Sequence, residues 1–438
     1  MKRALVASLA ALLIGAPTAN AAEKAIWGPL ELPGGGSAFD TYKDLGVDTY
    51  QVGLSFATTV PQRPANPGDP NDPAYRWPPS LDEAAAAAAA NGINLAILVT
   101  QSPGWANGGR SELHAPDAKA FADFMAAASK RYPTVRRWMI WGEPNRADRF
   151  LPNEPKSPVG ARAYARILDA AYGSLKAVSR RNIVIGGMTW TGGDVKPAPF
   201  MKFMRLPNGR PPRLDWFGHN PFPFRFPNLR ELAIRDGWRD ISDLDVFSRQ
   251  LRRTYGPRAK FWLSEFLVLS DKPSDEFLLF VSRAQQARWL RASYAIADSL
   301  DSVAGLGWLA LLDQPERNPG AGSNWGLLTE TGAAKPAYAA FRSAPSEQFR
   351  PVVRAPRTVT RSALRRRGLA VKVRPRTAGR VIVELRRGKR RLGRATSRVP
   401  AGATRTIVVR SRTARGGRVT SVVRTSRGAT VRRSTVVR

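Results

Sequence analysis

The feature that most constrains the fold is a regular alternation of short apolar runs with longer amphipathic stretches, from about residue 25 to residue 340. Strands that alternate with helical segments in this way are typical of βαβ units and of a parallel sheet. Eight such strands over this length of chain predict an α/β fold, a closed (β/α)8 TIM barrel with long loops. The candidate strands are residues 25–30, 50–56, 95–100, 138–141, 183–187, 216–219, 261–265 and 306–311.

An open, doubly wound sheet is the alternative architecture for the same alternation. Sheets of that kind that bind dinucleotides have a Gly-rich phosphate loop of the pattern G-x-G-x-x-G directly after the first strand. No loop of that pattern follows residues 25–30, so the sequence favours the barrel.

Residues 80–92 illustrate one helix-to-strand step of the repeat. Ser80 and Glu83 have the spacing of a capping box, in which each side chain accepts a hydrogen bond from the other residue's backbone N–H. Seven alanines follow and favour a helix, and Asn91 with Gly92 predicts a left-handed stop before the strand at residue 95.

The segment from residue 60 to residue 80 is rich in Pro, Asn and Asp and is predicted to be a long loop. It follows the second candidate strand, so it belongs to the face where barrel enzymes carry out their chemistry. Two interpretations of Tyr75 and Trp77 are open: they stack on sugar rings, or they pack the loop against the barrel.

The first residues have the pattern of a signal peptide. Lys2 and Arg3 precede an apolar run at residues 4–14, and small residues around Ala21 offer a cleavage site. The apolar run is shorter than the ~20 residues that cross a bilayer, and no later segment is apolar enough. We therefore expect residues 1–21 to be removed and the protein to be secreted, without a transmembrane span.

The composition excludes several kinds of site. The chain has no cysteine, which excludes disulfides, thiolate metal sites and cysteine nucleophiles. With only two histidines, His114 and His219, a multi-histidine metal centre is not expected either. We predict no metal and no cofactor, and His114 is interpreted as a plain loop residue.

The composition changes after about residue 348. Residues 351–438 contain 27 Lys or Arg and one acid, Glu384, so they carry +26 of the formal charge of +35. Short alternating runs at residues 369–373, 381–385, 406–409 and 419–423 predict a small all-β, sandwich-like domain. The predicted domains are therefore a barrel at residues 22–347 and a basic accessory domain at residues 348–438.

Two interpretations of this charge are open, an anchor to an anionic cell-wall polymer and a solubilising Arg-rich surface. Nucleic acid is a less favoured partner, because proteins of this charge that bind it are usually intracellular. The tail also contains almost no aromatic side chains on which bases could stack.

Two glutamates stand where a barrel places its chemistry. Glu143 closes the segment WMIWGE after the fourth candidate strand, and Glu265 closes FWLSE on the seventh. Cleavage of a glycosidic bond requires two carboxyl groups, one to protonate the leaving oxygen and one to attack or to activate water. Because both glutamates follow apolar strands, catalysis explains their charge better than packing does.

The segments around these glutamates resemble clan A of the glycoside hydrolases, which includes the family 5 cellulases and the family 39 β-xylosidases. The resemblance extends from about Trp27 to Phe341. It rests mainly on WGEPN at residues 141–145 and SEF at residues 264–266, with support from SPGWA at residues 102–106, WGLL at residues 325–328 and KPAY at residues 335–338. It implies Glu143 as the acid/base and Glu265 as the nucleophile of a retaining enzyme.

The same resemblance provides candidate substrate contacts. It implies that Trp308 is a sugar platform and that His219 is a polar residue of the site, while a core tryptophan and a satisfied barrel histidine remain open as the alternatives. The predicted substrate-binding set is His219, Asn145, Trp308, Trp105 and Trp141. Three aromatic residues in the loop after the sixth strand are further candidates for a glycan cleft: Phe222, Phe224 and Phe226.

Three positions depart from the clan's pattern. Gly142 stands where the clan has Asn before the acid/base, Gln51 stands where it has Arg on the second strand, and the Tyr that commonly follows the sixth strand is missing. These departures keep open a non-catalytic carbohydrate-binding protein of the same fold.

The environments of the two acids predict different pKa values. Trp141 and Pro144 beside Glu143 are apolar neighbours that raise its pKa, as an acid catalyst requires, whereas Glu265 is expected to remain ionised. The sequence as a whole predicts a secreted retaining glycoside hydrolase that cleaves a β-linked oligo- or polysaccharide by double displacement.

Overall fold

The computed structural model describes residues 22–233, 236–315, 323–346, 351–375, 378–411, 413, 415–425 and 430–438. The predicted signal peptide at residues 1–21 lies outside the described residues. So does the predicted domain boundary between residues 347 and 348.

Eight parallel strands close into a barrel in chain order, and the last strand pairs with the first, for example at Ala25 and Gly307. Each strand begins and ends within three residues of its predicted position, so the predicted barrel is confirmed. The strands are β1 (Glu23–Trp27), β2 (Thr49–Ser55), β3 (Asn94–Thr100), β4 (Arg137–Ile140), β5 (Ile183–Trp190), β6 (Trp216–Asn220), β7 (Lys260–Phe266) and β8 (Val303–Leu309).

A helix follows each strand and packs on the outside of the barrel. The main helices are α1 (Ala38–Leu45), α2 (Pro79–Ala90), α3 (Ala118–Arg131), α4 (Val159–Val178), α5 (Pro197–Phe203), α6 (Leu244–Tyr255), α7 (Arg283–Ser299) and α8 (Pro336–Ser343). In the described ranges, no helix combines the length and apolarity that a membrane span needs.

The predicted capping box of α2 is wrong. The helix begins at Pro79, with Pro78 as its N-cap residue and no side-chain cap. A proline at the first position of a helix has a suitable φ and lacks an N–H that would need a partner, so the box is not required. The predicted stop is confirmed, because Gly92 has a φ of 64° after the last helical turn.

Apolar side chains form two cores, one inside the barrel and one between the strands and the helices. Inside the barrel, Ala25, Ala96 and Met139 pack with Trp262. A Cβ at Gly305 would lie 2.4 Å from the Trp262 ring, so this glycine leaves room for the indole. A larger core of leucine, valine and aromatic side chains lies between the strands and the helices.

The described residues of the C-terminal region form eight strands and one short helix, α9 (Arg361–Arg366). The strands are β9 (Val352–Arg354), β10 (Thr358–Val359), β11 (Leu369–Arg374), β12 (Gly379–Arg387), β13 (Arg390–Val399), β14 (Arg405–Val409), β15 (Gly417–Arg424) and β16 (Thr430–Val437). They form a three-stranded sheet, β9-β11-β14, and a five-stranded sheet, β10-β16-β15-β12-β13. The predicted all-β region is confirmed.

The two C-terminal sheets share one core of valine and leucine side chains, separate from that of the barrel. Four predicted runs correspond to β11, β12, β14 and β15. The sequence did not reveal β13, because its side chains are mostly exposed and many are arginine. Glu384 of β12 pairs with Arg386 at 2.6 Å. Burial acts to raise the pKa of Glu384, but the Arg386 guanidinium outweighs it and holds this pKa below its usual value.

Candidate active site

A cavity of about 430 Å³ opens at the carboxyl ends of the barrel strands. Glu143 follows β4, and Glu265 lies near the end of β7. Both side chains line the cavity. The structure therefore brings the two predicted carboxylates to one cavity. Other residues that line the cavity are Gln101, Glu112, Trp141, Gly142, Asp148, Arg149, Phe222, Glu276, Phe277 and Trp325.

An unusual backbone turns Glu143 towards this cavity. Trp141 and Glu143 have φ values of 60° and 48°, a left-handed conformation that side-chain-bearing residues rarely adopt. Hydrogen bonds to the neighbouring strands hold the turn: Trp141 N–H donates to the Val99 carbonyl at 2.9 Å, and Glu143 N–H donates to the Met188 carbonyl at 3.0 Å. Strained residues of this kind cluster at functional sites.

Two donors hold the Glu143 carboxylate. Arg146 Nη1 donates to Oε2 at 2.8 Å, and Asn220 Nδ2 donates to Oε1 at 2.9 Å. The Ser264 hydroxyl in turn donates to Asn220 Oδ1 at 2.8 Å and fixes the amide orientation. Glu143 is only 8% exposed, and this burial raises its pKa although Arg146 and Asn220 oppose the rise.

Glu265 has a different environment. Among the described residues, none donates a hydrogen bond to its carboxylate. Burial raises its pKa to about 8, and the nearby charges of Glu143 and Glu276 add to the rise. The direction of this shift opposes the expectation that Glu265 stays ionised, since the neighbouring cation and amide donate to Glu143 instead.

Arg146 joins two loops at the rim of the cavity. Besides Glu143, it pairs with Asp148 at 2.7 Å, in its own loop, and with Glu276 at 3.1 Å, in the loop between β7 and α7. Its guanidinium lies over the Trp190 ring, 5.0 Å from the centroid. Sequence reasoning missed this network, since Arg146, Asp148 and Glu276 lie in irregular loops and follow no strand directly.

His219 does not line the cavity. It is fully buried on β6, with Nδ1 2.9 Å from the Thr189 hydroxyl and Nε2 2.9 Å from the Arg239 carbonyl. Nδ1 also lies 2.8 Å from the Thr189 carbonyl, and burial lowers the pKa of His219 to about 4. The substrate-binding role predicted for His219 is therefore replaced by a structural one.

Asn145 is also structural. It is fully buried, and its Nδ2 lies within hydrogen-bond distance of the carbonyls of Trp190, Gly192 and Val195, at 3.0–3.2 Å. Its Oδ1 accepts from the Trp190 N–H at 2.8 Å. All of its polar atoms tie the loop after β4 to the loop after β5, so none is left for a substrate.

The three predicted tryptophans occupy different places. Trp141 lines the cavity, with its indole N–H donated to the Arg149 carbonyl at 2.9 Å. Trp308 is fully buried and donates to the Trp325 carbonyl at 3.0 Å, so it supports the cavity wall from behind. Trp105 donates to the Val60 carbonyl at 2.8 Å and packs a loop. Of these three, only Trp141 reaches the site, where Trp325 is an additional aromatic residue.

The long loop after β2 packs on the barrel. The rings of Tyr75 and Trp77 stack on each other at 5.0 Å, and both lie against Phe124 of α3. The packing interpretation of these two residues is therefore the right one. The other predicted loop residue, His114, lies 2.9 Å from the Ser111 hydroxyl and does not line this cavity.

The departures from the clan's pattern have clear structural places. Gln51 is buried in the barrel, where it donates to the Ser264 carbonyl at 2.8 Å and accepts from the Trp262 indole at 3.1 Å. A Cβ at Gly142 would meet Leu98 and Thr100 at ordinary contact distances of 3.5 and 3.6 Å, so packing does not require glycine there.

No family model matches the chain, and no curated protein matches it. Solved structures with the same fold exist. A family 39 glycoside hydrolase from Bacteroides cellulosilyticus WH2 matches with a TM-score of 0.54 at 13% identity over 90% of this chain and 81% of that one. A glucosidase from Croceicoccus marinus matches with a TM-score of 0.55 at 12% identity over 95% of this chain and 96% of that one. A monomeric β-xylosidase from Caulobacter crescentus CB15 matches with a TM-score of 0.51 at 13% identity over 94% of this chain and 96% of that one. Likeness at these identities shows the fold alone.

Proposed function

We propose that the chain is a secreted retaining glycoside hydrolase that cleaves β-linked glycans. The observation that carries this proposal is the pair of carboxyl groups, Glu143 after β4 and Glu265 on β7, which face one cavity at the barrel mouth. The three solved structures described above, a family 39 glycoside hydrolase, a glucosidase and a β-xylosidase, support the same class of reaction.

Each carboxyl group has a defined role in the proposed double displacement. Glu143 donates its proton to the glycosidic oxygen while the Glu265 carboxylate attacks the anomeric carbon, which breaks the C–O bond and forms a glycosyl ester. Glu143, now ionised, removes a proton from water as the water attacks the same carbon. The sugar leaves with its original anomeric configuration, and both carboxyl groups return to their starting states.

Catalysis requires a protonated Glu143 and an ionised Glu265. In the ligand-free protein, Arg146 and Asn220 donate to the Glu143 carboxylate and favour its ionised form, whereas burial raises the pKa of Glu265. Positive charge that develops on the sugar next to Glu265 favours the ionised form of Glu265, because a nearby cation lowers the pKa of a carboxyl group.

The remaining walls fit a sugar ring. Trp141, Trp325 and Phe222 present aromatic surface, while Gln101 and Glu112 present polar groups, joined by a hydrogen bond of 2.8 Å between their side chains. Sugar sites generally combine apolar walls with a few positioned polar groups. The indole N–H of Trp325 has no acceptor in the described part of the chain and would be a donor for a sugar hydroxyl.

Hydrolysis of a panel of aryl β-glycosides, beginning with the glucoside and the xyloside, tests the proposal. NMR of the first-formed sugar should show a retained anomer. An inverted anomer would remove Glu265 as the nucleophile. Binding of glycans without hydrolysis of any member would favour the non-catalytic carbohydrate-binding protein instead.

A second function, in the C-terminal domain, is supported by a cluster of arginines. Arg361, Arg365 and Arg366 of α9 and Arg415 line one open cavity of about 700 Å³. A Cβ at Gly416 would lie 2.5 Å from Arg361 Nη2, so the absence of a side chain there lets the guanidinium lie on the backbone. We propose that this cluster binds an anionic cell-wall polymer.

Cosedimentation of the full chain with cell wall that carries teichoic acid, at low and high salt, tests this second function. Replacement of Arg361, Arg365 and Arg366 by Gln should weaken binding at low salt. The matched control replaces three exposed arginines of the neighbouring strands, Arg394, Arg398 and Arg405. Equal losses in the two triple variants would point to diffuse charge, and binding insensitive to salt would contradict an electrostatic anchor.

A further inference from the structure

A second cavity, of about 350 Å³, lies beside the carboxylate cavity and has almost entirely apolar walls. It is formed by the end of β5, the loop after β6 and the chain that follows β7. Among the described residues that line it, Glu276 is the only charged one. The principal apolar side chains are those of Trp190, Phe222, Phe224, Leu267, Phe277 and Leu278.

The two cavities are continuous. Phe222, Glu276 and Phe277 line both of them, and the rings of Phe222 and Phe277 lie 4.9 Å apart. A molecule with its reacting bond between Glu143 and Glu265 could therefore extend along these rings into the apolar cavity. The volume of the apolar cavity lies within the range of about 300–1,000 Å³ that is common for pockets that bind small organic ligands.

The rim of the apolar cavity exposes large hydrophobic side chains to solvent. Leu278 is 81% exposed and Phe224 is 47% exposed. Leu279 and Phe280 continue this exposed run along the loop. Single exposed apolar residues are ordinary, but a contiguous exposed group marks an interaction surface, and a ligand-binding groove is one kind of such surface.

A chain of contacts links the apolar cavity to the acid catalyst. Trp190, one of its walls, carries the Arg146 guanidinium 5.0 Å from its ring centroid, and Arg146 Nη1 lies 2.8 Å from Glu143 Oε2. In the proposed reaction, Glu143 protonates the oxygen of the leaving group. The group nearest to Glu143 is therefore the aglycone and not the sugar that Glu265 attacks.

The chemistry of the walls identifies the class of aglycone. A second sugar would bring several hydroxyl groups into a pocket that offers them few partners, and unpaired polar groups are costly to bury. We propose that this pocket binds the aglycone and that the natural aglycone is an apolar alkyl or aryl group, an inference that rests on the proposed hydrolase function. The substrate class is then an amphiphilic β-glycoside and not a polysaccharide alone.

Calorimetric binding of methyl, propyl and butyl β-D-glucosides to the full chain tests the inference without requiring turnover. Affinity should rise about fourfold for each added methylene until the pocket is filled, which corresponds to about 0.8 kcal/mol for each group. Leu278→Asp places a charge at the rim and should lower the butyl-to-methyl affinity ratio several-fold. Phe224→Ala should lower the ratio in the same direction.

Leu232→Asp is the matched control, because Leu232 is 84% exposed and lies outside both cavities. Equal affinity of the butyl and methyl glucosides for the unsubstituted protein would overturn the inference. An equal loss of the butyl-to-methyl affinity ratio in Leu278→Asp and in Leu232→Asp would also overturn it. A chain-length dependence without hydrolysis of any glycoside would sink the hydrolase proposal but keep the pocket, whereas hydrolysis without that dependence would sink the pocket alone.

Discussion

Asn220, at the end of β6, donates a hydrogen bond of 2.9 Å to the Glu143 carboxylate, which follows β4 on the other side of β5. The Ser264 hydroxyl on β7 orients the amide from behind. Three strand ends are therefore connected through one side chain, and the position of the proposed acid depends on a residue far from it in the chain.

Asn220→Ala should lower kcat/KM for substrates with poor leaving groups by about 10- to 100-fold. Hydrogen bonds to charged groups contribute about 1.5–3 kcal/mol, and each 1.4 kcal/mol corresponds to a tenfold change in rate. Ser264→Ala should cause a smaller loss, since Ser264 acts only through Asn220. Unchanged kinetics in Asn220→Ala would show that this hydrogen bond does not position the acid.

Arg146→Gln should move the whole pH profile of kcat/KM to higher pH. The Arg146 cation lowers the pKa of both Glu143 and Glu265, so its removal raises both values. Arg149→Gln is the comparison, because Arg149 lowers the pKa of Glu265 but does not touch Glu143. Its profile should shift on one limb alone, because only the pKa of Glu265 changes, and identical shifts in the two variants would contradict these assignments.

Glu265 also makes stability depend on pH. Its pKa is raised from 4.5 to about 8, so the folded state holds a proton that the unfolded chain releases over this range, and stability falls as pH rises. Glu265→Gln should therefore gain Tm relative to the unsubstituted protein as pH increases from about 4.5 to 8. Each kcal/mol corresponds to roughly 2 °C for a large domain.

Thermal unfolding scans at several pH values measure this gain. Glu330→Gln, a change at an exposed carboxylate, is the control and should leave the pH dependence as it is. A constant difference in Tm between Glu265→Gln and the unsubstituted protein at all pH values would show that Glu265 titrates normally in the folded state.

The barrel could be predicted from the sequence because its signal is local. Each strand is a short apolar run, and glutamates directly after β4 and on β7 identify the mouth. The partners of Glu143 could not be predicted in the same way. Asn220 is 77 residues away in the chain, and Arg146, three residues away, reaches the carboxylate through an irregular loop, so both roles follow from how strands and loops meet.

The buried positions of His219, Asn145 and Trp308 have a common physical cause. All three lie in or beside strand ends near the site, as predicted, but their side chains point into the structure around the cavity. Each one satisfies its polar atoms with backbone groups, as buried polar groups usually do. Position along a strand is readable from sequence, whereas the partner that a buried polar group chooses is not.

The most direct test of the central claim compares Glu143→Gln with the unsubstituted protein on two β-glycosides, one with a good aryl leaving group and one with a poor alkyl leaving group. A good leaving group needs little help from an acid, so the variant should lose formation of the glycosyl ester mainly with the alkyl glycoside. Pre-steady-state kinetics isolate that first step from the later attack of water. We predict a much larger loss of rate for the alkyl glycoside than for the aryl glycoside. Equal losses on both substrates would contradict the assignment of Glu143 as the acid.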